Sequence, residues 1–131
     1  MLSKRGFFGC AICAAIGLPD GRAEAQTPAG PVRTELRRID YPAGHTIIQM
    51  MLEAPAGFEV TPHTHPGVES SLVLEGELSL TVLGQAPLVC RAGDGFQVPA
   101  GVVHSGRVGN ARSKLFIHYV VEKDKPLASP A

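Results

Sequence analysis

The sequence predicts an all-β domain, a single barrel or sandwich, on three observations. Short apolar runs recur along the chain between turns such as Glu75-Gly76-Glu77, Gly93-Asp94-Gly95 and Pro99-Ala100-Gly101. Gly and Pro supply 15 and 11 of the 131 residues, a density that suits tight turns. No stretch carries a sustained helical period. The length fits one domain. With 44% hydrophobic and 18% charged residues the chain can bury a core, which excludes a disordered protein.

Residues 1–25 read as an export signal. Lys4 and Arg5 precede an uncharged stretch from Gly6 to Leu18, and Ala23-Glu24-Ala25 offers the small-x-small exit that a signal peptidase accepts. Gln26 is the expected mature start. The apolar stretch is shorter than the roughly twenty residues that cross a bilayer. Ser3-Lys4-Arg5-Gly6-Phe7-Phe8 resembles a twin-arginine signal with Lys at the place of the first Arg. The expected location is periplasmic or secreted, with no membrane attachment after cleavage. Cys10 and Cys13 leave with the signal. Cys90, in the strand-like Leu88-Val89-Cys90-Arg91, is then expected to be a buried thiol with no disulfide. The mature chain is nearly neutral, which gives no electrostatic basis for binding nucleic acid and favours a small-molecule partner.

Residues 26–38 form an N-terminal linker and arm: Gln26 to Pro31 is a Pro/Ala/Gly linker, and Val32 to Asp40, which runs into the barrel, reads as a strand or a short arm. The barrel occupies 39–122. Its strand candidates are His45–Leu52, Phe58–Val60, Ser71–Leu74, Leu78–Leu83, Leu88–Arg91, Phe96–Val98 and Leu115–Val121. Residues 123–131 remain as a C-terminal tail.

His63 and His65 are two apart, so on an extended strand both imidazoles face one point. Pro66-Gly67 turns the chain, and Glu69 can return a carboxylate to that point. His104 must reach it from another strand, beyond the Pro99-Ala100-Gly101 turn. Three imidazoles and a carboxylate suit a divalent transition metal with positions left open. Taken alone, a His-x-His pair also fits an exposed strand or a structural hydrogen bond. Strict alternation would put Glu59 and Thr61 beside these histidines and Phe58 and Val60 opposite; a bulge at Pro62 would reset the parity. His118 lies in Phe116-Ile117-His118-Tyr119, a strand apolar on both faces. It is either a buried, hydrogen-bonded His or a site-lining acid or base, and stands with Glu69 as a candidate catalytic residue. His45 is expected to be exposed, and Arg91, Arg107 and Arg112 to be solvated.

The pattern resembles the cupin superfamily. Its first motif, G-x5-H-x-H-x3,4-E-x6-G, is met by Gly57, His63, His65, Glu69 and Gly76. Its second, G-x5-P-x-G-x2-H-x3-N, is met by Gly93, Pro99, Gly101 and His104, but Val108 holds the Asn place and Asn110 follows two residues later. The resemblance implies a single jelly-roll (double-stranded β-helix) barrel with one divalent metal on His63, His65, Glu69 and His104. It further implies a small mononuclear, dioxygenase-like enzyme acting on a small organic substrate, close to quercetinase-type members. Glu69 argues against the thiol dioxygenases, and a single barrel against the two-barrel decarboxylases. The competing expectation is a non-catalytic periplasmic binding module. Manganese or iron is favoured if the chain folds in the cytoplasm before export. Zinc, nickel or copper would compete in a site loaded outside it. A homodimer is expected, because a small barrel has little core and similar barrels pair through their sheets, with Val32–Asp40 as the candidate exchanged arm.

Overall fold

Alternation of apolar and polar residues dominates the chain, and the structure, a computed structural model, shows what it builds. Residues 29–131 are described; residues 1–28, which carry the expected export signal and the start of the linker, lie outside the described residues. The strands are β1 (Val32–Tyr41), β2 (His45–Ala54), β3 (Glu59–Thr64), β4 (Gly67–Glu75), β5 (Glu77–Val82), β6 (Leu88–Arg91), β7 (Gly95–Val98), β8 (His104–Val108), β9 (Ser113–Glu122) and β10 (Ser129–Pro130). They form two five-stranded sheets, in the orders β1-β2-β9-β4-β7 and β10-β3-β8-β5-β6. Every pairing is antiparallel. The all-β expectation and the single jelly-roll barrel are both observed.

β9 shows how the sequence chooses a face. Leu115, Ile117, Tyr119 and Val121 are buried, while Lys114, Phe116, His118 and Val120 alternate with them at half exposure. Ile48 and Leu52 of β2, Val73 of β4 and Val98 of β7 add to this inner layer, and Leu78, Leu80, Val82, Cys90 and Val108 meet it from the second sheet. Cys90 is a free buried thiol, and burial raises its pKa, as its place in an apolar strand requires.

Two segments outside 39–122 add strands. β1 pairs with β2 from Val32↔Glu53 to Tyr41↔His45, so of the two readings of Val32–Asp40 the strand is the one observed. Within the C-terminal tail, β10 pairs with β3 through Ser129↔Thr64 and Pro130↔His63. The amide of Ala131 donates to the Pro62 carbonyl at 3.1 Å.

The parity problem at Pro62 has a structural answer. Val60 pairs with Gly106, whereas His63 pairs with His104, so β3 spends three steps where β8 spends two. This bulge brings Val60 and His63 onto the same face. Val108 at the place of the family's Asn is buried, and the turn around it is held by backbone: Val108 N–H donates to the Phe58 carbonyl and Gly57 N–H to the Gly109 carbonyl, each at 2.9 Å.

β4 begins at Gly67, four residues before the apolar run that suggests a strand. The early segment carries Glu69 and two serines in place of an apolar pattern. Gly67 is there for space: a Cβ would stand 2.0 Å from the Val120 carbonyl oxygen and 2.6 Å from Val121 Cα. Both contacts are backbone and cannot rotate away. Gly67→Ala is therefore expected to part β4 from β9 and cost at least about 3 kcal/mol, or roughly 10 °C or more in a domain of this size. Thermal denaturation followed by circular dichroism checks this, and an unchanged melting temperature would contradict the close approach.

Candidate metal centre

The cluster is assembled from facing rows of the two sheets. In one sheet Ile48, Tyr119, Glu69 and Val98 lie in register across β2, β9, β4 and β7. In the other, His63, His104 and Val82 lie in register across β3, β8 and β5. His65 sits in the short link between β3 and β4, where its carbonyl accepts from the Gly101 amide at 3.0 Å. Both sequence motifs are thereby tied together through backbone.

His63, His65, Glu69 and His104 offer ligand atoms that all lie within 4.8 Å of one another. His65, Glu69 and His104 are buried, and His63 is half-buried at the opening. The Nε2 atoms of His65 and His104 each lie 3.1 Å from Glu69 Oε2, and His63 Nε2 lies 3.2 Å from His65 Nε2.

The outward nitrogens decide what the inward ones are. Each Nδ1 meets a backbone carbonyl, which can only accept: His63 donates to Thr61 at 2.8 Å, His65 to Leu127 at 2.6 Å and His104 to Val102 at 3.0 Å. In the neutral imidazole this fixes the proton on Nδ1 and leaves the Nε2 lone pair facing inward. Ser71 Oγ donates to Glu69 Oε1 at 2.8 Å, holding the carboxylate in place. Three lone pairs and a carboxylate thus converge on one buried point with no donor between them. Such an arrangement is repulsive until a cation or proton enters, and it matches the way metal-binding histidines are held from behind.

The electrostatics follow. Burial pushes the Glu69 carboxyl up, but hydrogen bonds from His104 and His65, which donate once Nε2 takes up a proton, together with that from Ser71 reverse this and hold it at about 2. Burial lowers the His63 pKa. It acts the same way on His104, where the bond to Glu69 and the carboxylate's charge prevail and the value is raised. Tyr119, with its ring centroid 4.8 Å from that of His65, is pushed upward by burial and by the Glu69 charge, so its hydroxyl stays neutral.

His118 requires a correction. It stands on the outer face of β9, opposite Gln49 and Ser70, and faces away from the cluster. With both faces of β9 apolar, the sequence could not fix the strand's parity; the Glu69↔Tyr119 pairing does, and gives the inner position to Tyr119. Glu69, the other candidate catalytic residue, lies in the cluster. A carboxylate held at about 2 is a weak base. Arg107 and Arg91 are exposed as expected, on Glu59 at 2.6 Å and Glu77 at 3.1 Å, whereas Arg112 is half-buried 4.0 Å from Glu53, with its Nη1 buried and unpartnered among the described residues. His45 is half-buried at the β1–β2 turn, where it meets the Ala43 carbonyl at 3.0 Å.

A cleft of about 400 Å³ opens over the cluster. Met50, Phe58, Ile117 and Leu127 give it apolar walls, Tyr119 lies at its floor beside His65, and Arg33 stands on its flank. Sequence reasoning missed Tyr119, Arg33 and the Leu127 strap, because each reaches the cleft only through strand pairing.

Fold and cluster together define a single-barrel protein with a three-histidine, one-carboxylate centre. The chain belongs to the cupin family: the cupin domain matches residues 49–118. It is 31% identical over 105 residues to oxalate oxidase 2 of Hordeum vulgare, covering 71% of this chain and 46% of that protein. The chain thus spans about half the length of the curated relatives it matches. A recombinant oxalate oxidase in complex with glycolate superposes with a TM-score of 0.62 at 26% identity, over 79% of this chain and 56% of that one. A cupin superfamily protein from Desulfitobacterium hafniense superposes with a TM-score of 0.63 at 18% identity, over 74% and 83% of the respective chains, a likeness of fold alone.

Proposed function

We propose that this cupin holds one divalent ion on His63, His65, Glu69 and His104 and uses it to oxidise a small organic substrate. The observation that carries the reading is the convergence of three Nε2 lone pairs on the Glu69 carboxylate, each imidazole fixed through Nδ1. The ion would supply Lewis-acid and redox chemistry. The chain's own residues do the rest. Met50, Phe58, Ile117 and Leu127 keep water from the substrate, Glu69 offsets the ion's charge, and Tyr119 offers a neutral hydroxyl as a hydrogen-bond donor. Likeness to oxalate oxidases supports an oxygen-consuming reaction on an organic acid. Oxygen uptake by metal-defined protein across dicarboxylate and phenolic substrates tests this. Uptake that disappears in His104→Ala supports an enzyme; tight binding with no uptake supports a binding module.

Metal retention should depend on pH. Ligand nitrogens must be deprotonated to bind, and the contact with Glu69 raises the His104 pKa above the ordinary imidazole value of about 6.5, which favours its protonation on acidification. Glu69 stays ionised throughout. Metal held at about pH 8 should be lost progressively on acidification, as protons compete with the ion for the imidazole nitrogens. Elemental analysis after dialysis at each pH would show it; metal content that does not fall on acidification would contradict imidazole control.

We also read the chain as exported and dimeric. Residues 1–25 support export, and N-terminal sequencing of secreted protein should begin at Gln26. Folding before twin-arginine export would favour manganese or iron over copper or zinc. The exposed Ile39 and Tyr41 on edge strand β1 support a self-association surface, and light scattering should give twice the chain mass.

A further inference from the structure

Arg33 lies on β1, outside both motifs and outside residues 49–118 that match the family. Its partner across the sheet is Leu52, a buried inner-face residue, so the Arg33 side chain rises on the concave side and flanks the cleft. Its charge reaches the Tyr119 hydroxyl. Arg38, Arg91, Arg107 and Arg112 each meet a carboxylate; Arg33 and Arg37 have no ion-pair partner among the described residues, and of these two Arg33 lines the cleft. Glu59, the other charged residue at the rim, is already engaged by Arg107 at 2.6 Å. Met50, Phe58, Ile117 and Leu127 give the cleft that Arg33 flanks its apolar walls.

We infer that the cleft selects an organic acid with a hydrocarbon body, whose coordinating group sits over His63, His65, Glu69 and His104 while its carboxylate is bound by Arg33. This rests on the metal-centred reading above and names its substrate class. A guanidinium pairs with a carboxylate through two parallel hydrogen bonds, which a neutral amide cannot reproduce. A cleft of about 400 Å³ holds on the order of a dozen water-sized groups. A two-carbon diacid would leave most of that space and the whole apolar wall uncovered. With a divalent ion and Arg33 set against Glu69, the site carries excess positive charge and rejects cations.

Titration calorimetry on the manganese-loaded full chain tests this with mandelate, mandelamide and oxalate as probes. Wild type should bind mandelate more tightly than either of the others. Arg33→Gln should weaken mandelate about tenfold, leave mandelamide unchanged and keep the same metal content, and Arg33→Lys should recover part of the loss. Equal affinity of wild type and Arg33→Gln for mandelate would overturn the anchor, as would parallel loss of mandelate and mandelamide. No mandelate binding by wild type, or oxalate binding at least as tightly, would overturn the substrate class. Failure of the metal reading shows separately, as wild type that takes up no manganese. The ratio of wild type to Arg33→Gln on that same metal-free protein then still decides the anchor.

Discussion

His104→Ala is expected to leave the barrel folded and nearly empty of metal. Its Nε2 lies 3.1 Å from Glu69 Oε2, and it is the one ligand contributed by β8. Without it the remaining ligands, His63, His65 and Glu69, all come from the β3–β4 side of the site. Supporting residues around metal ligands typically cost about 10–100-fold in affinity when removed, and loss of a ligand should exceed that. Stability of the metal-free protein should fall too. Glu69 is buried, and removing a partner leaves its charge poorly compensated, at a cost of about 3 kcal/mol or more. The double variant Glu69→Gln/His104→Ala should regain part of that stability and still hold no metal, which separates charge compensation from ligation. His118→Ala, on the outer face, is the control and should retain full metal content. Elemental analysis of the three variants decides the matter. Unchanged metal in His104→Ala, or metal lost from His118→Ala, would remove the assignment.

The four candidate ligands were legible in the sequence because the chemistry is written locally. A His-x-His step and a Pro-Gly turn place three of them within seven residues, and the fourth follows a Pro-x-Gly turn of its own. The strands were legible wherever apolar residues were dense, as in β2, β5, β6 and β9. β4 was read late because its first residues are chosen for the site and for close backbone approach at Gly67, not for burial. What could not be read was everything fixed by pairing between distant strands. His118 and Tyr119 are neighbours in a strand apolar on both faces, and one step of parity separates an inner from an outer position. The same holds for Arg33, which is one of several arginines in β1 until its register with Leu52 sets its direction. The C-terminal tail carries a short, Pro-containing segment with no strand pattern, yet backbone pairing alone draws it onto β3.

That tail underlies the second large effect. Ending the chain after Pro126 should weaken metal binding about 10–100-fold, the range found when a group behind a metal-binding histidine is lost. The carbonyl of Leu127 accepts from His65 Nδ1 at 2.6 Å, and the next residues lie along β3, with Pro130 opposite His63. Removing them takes the acceptor that fixes the His65 tautomer and turns β3 into an edge strand beside the site. Two of the four candidate ligands are thereby loosened by residues that supply none. Leu127→Ala separates the backbone role from the side-chain role. It keeps the carbonyl and trims only apolar packing against the core, so its metal affinity should stay within a few-fold of wild type while its melting temperature falls. Competition with a chelator measures both variants against the intact chain. Wild-type affinity in the shortened protein would show that His65 needs no tether. An equal loss in Leu127→Ala would assign the effect to packing and not to the carbonyl.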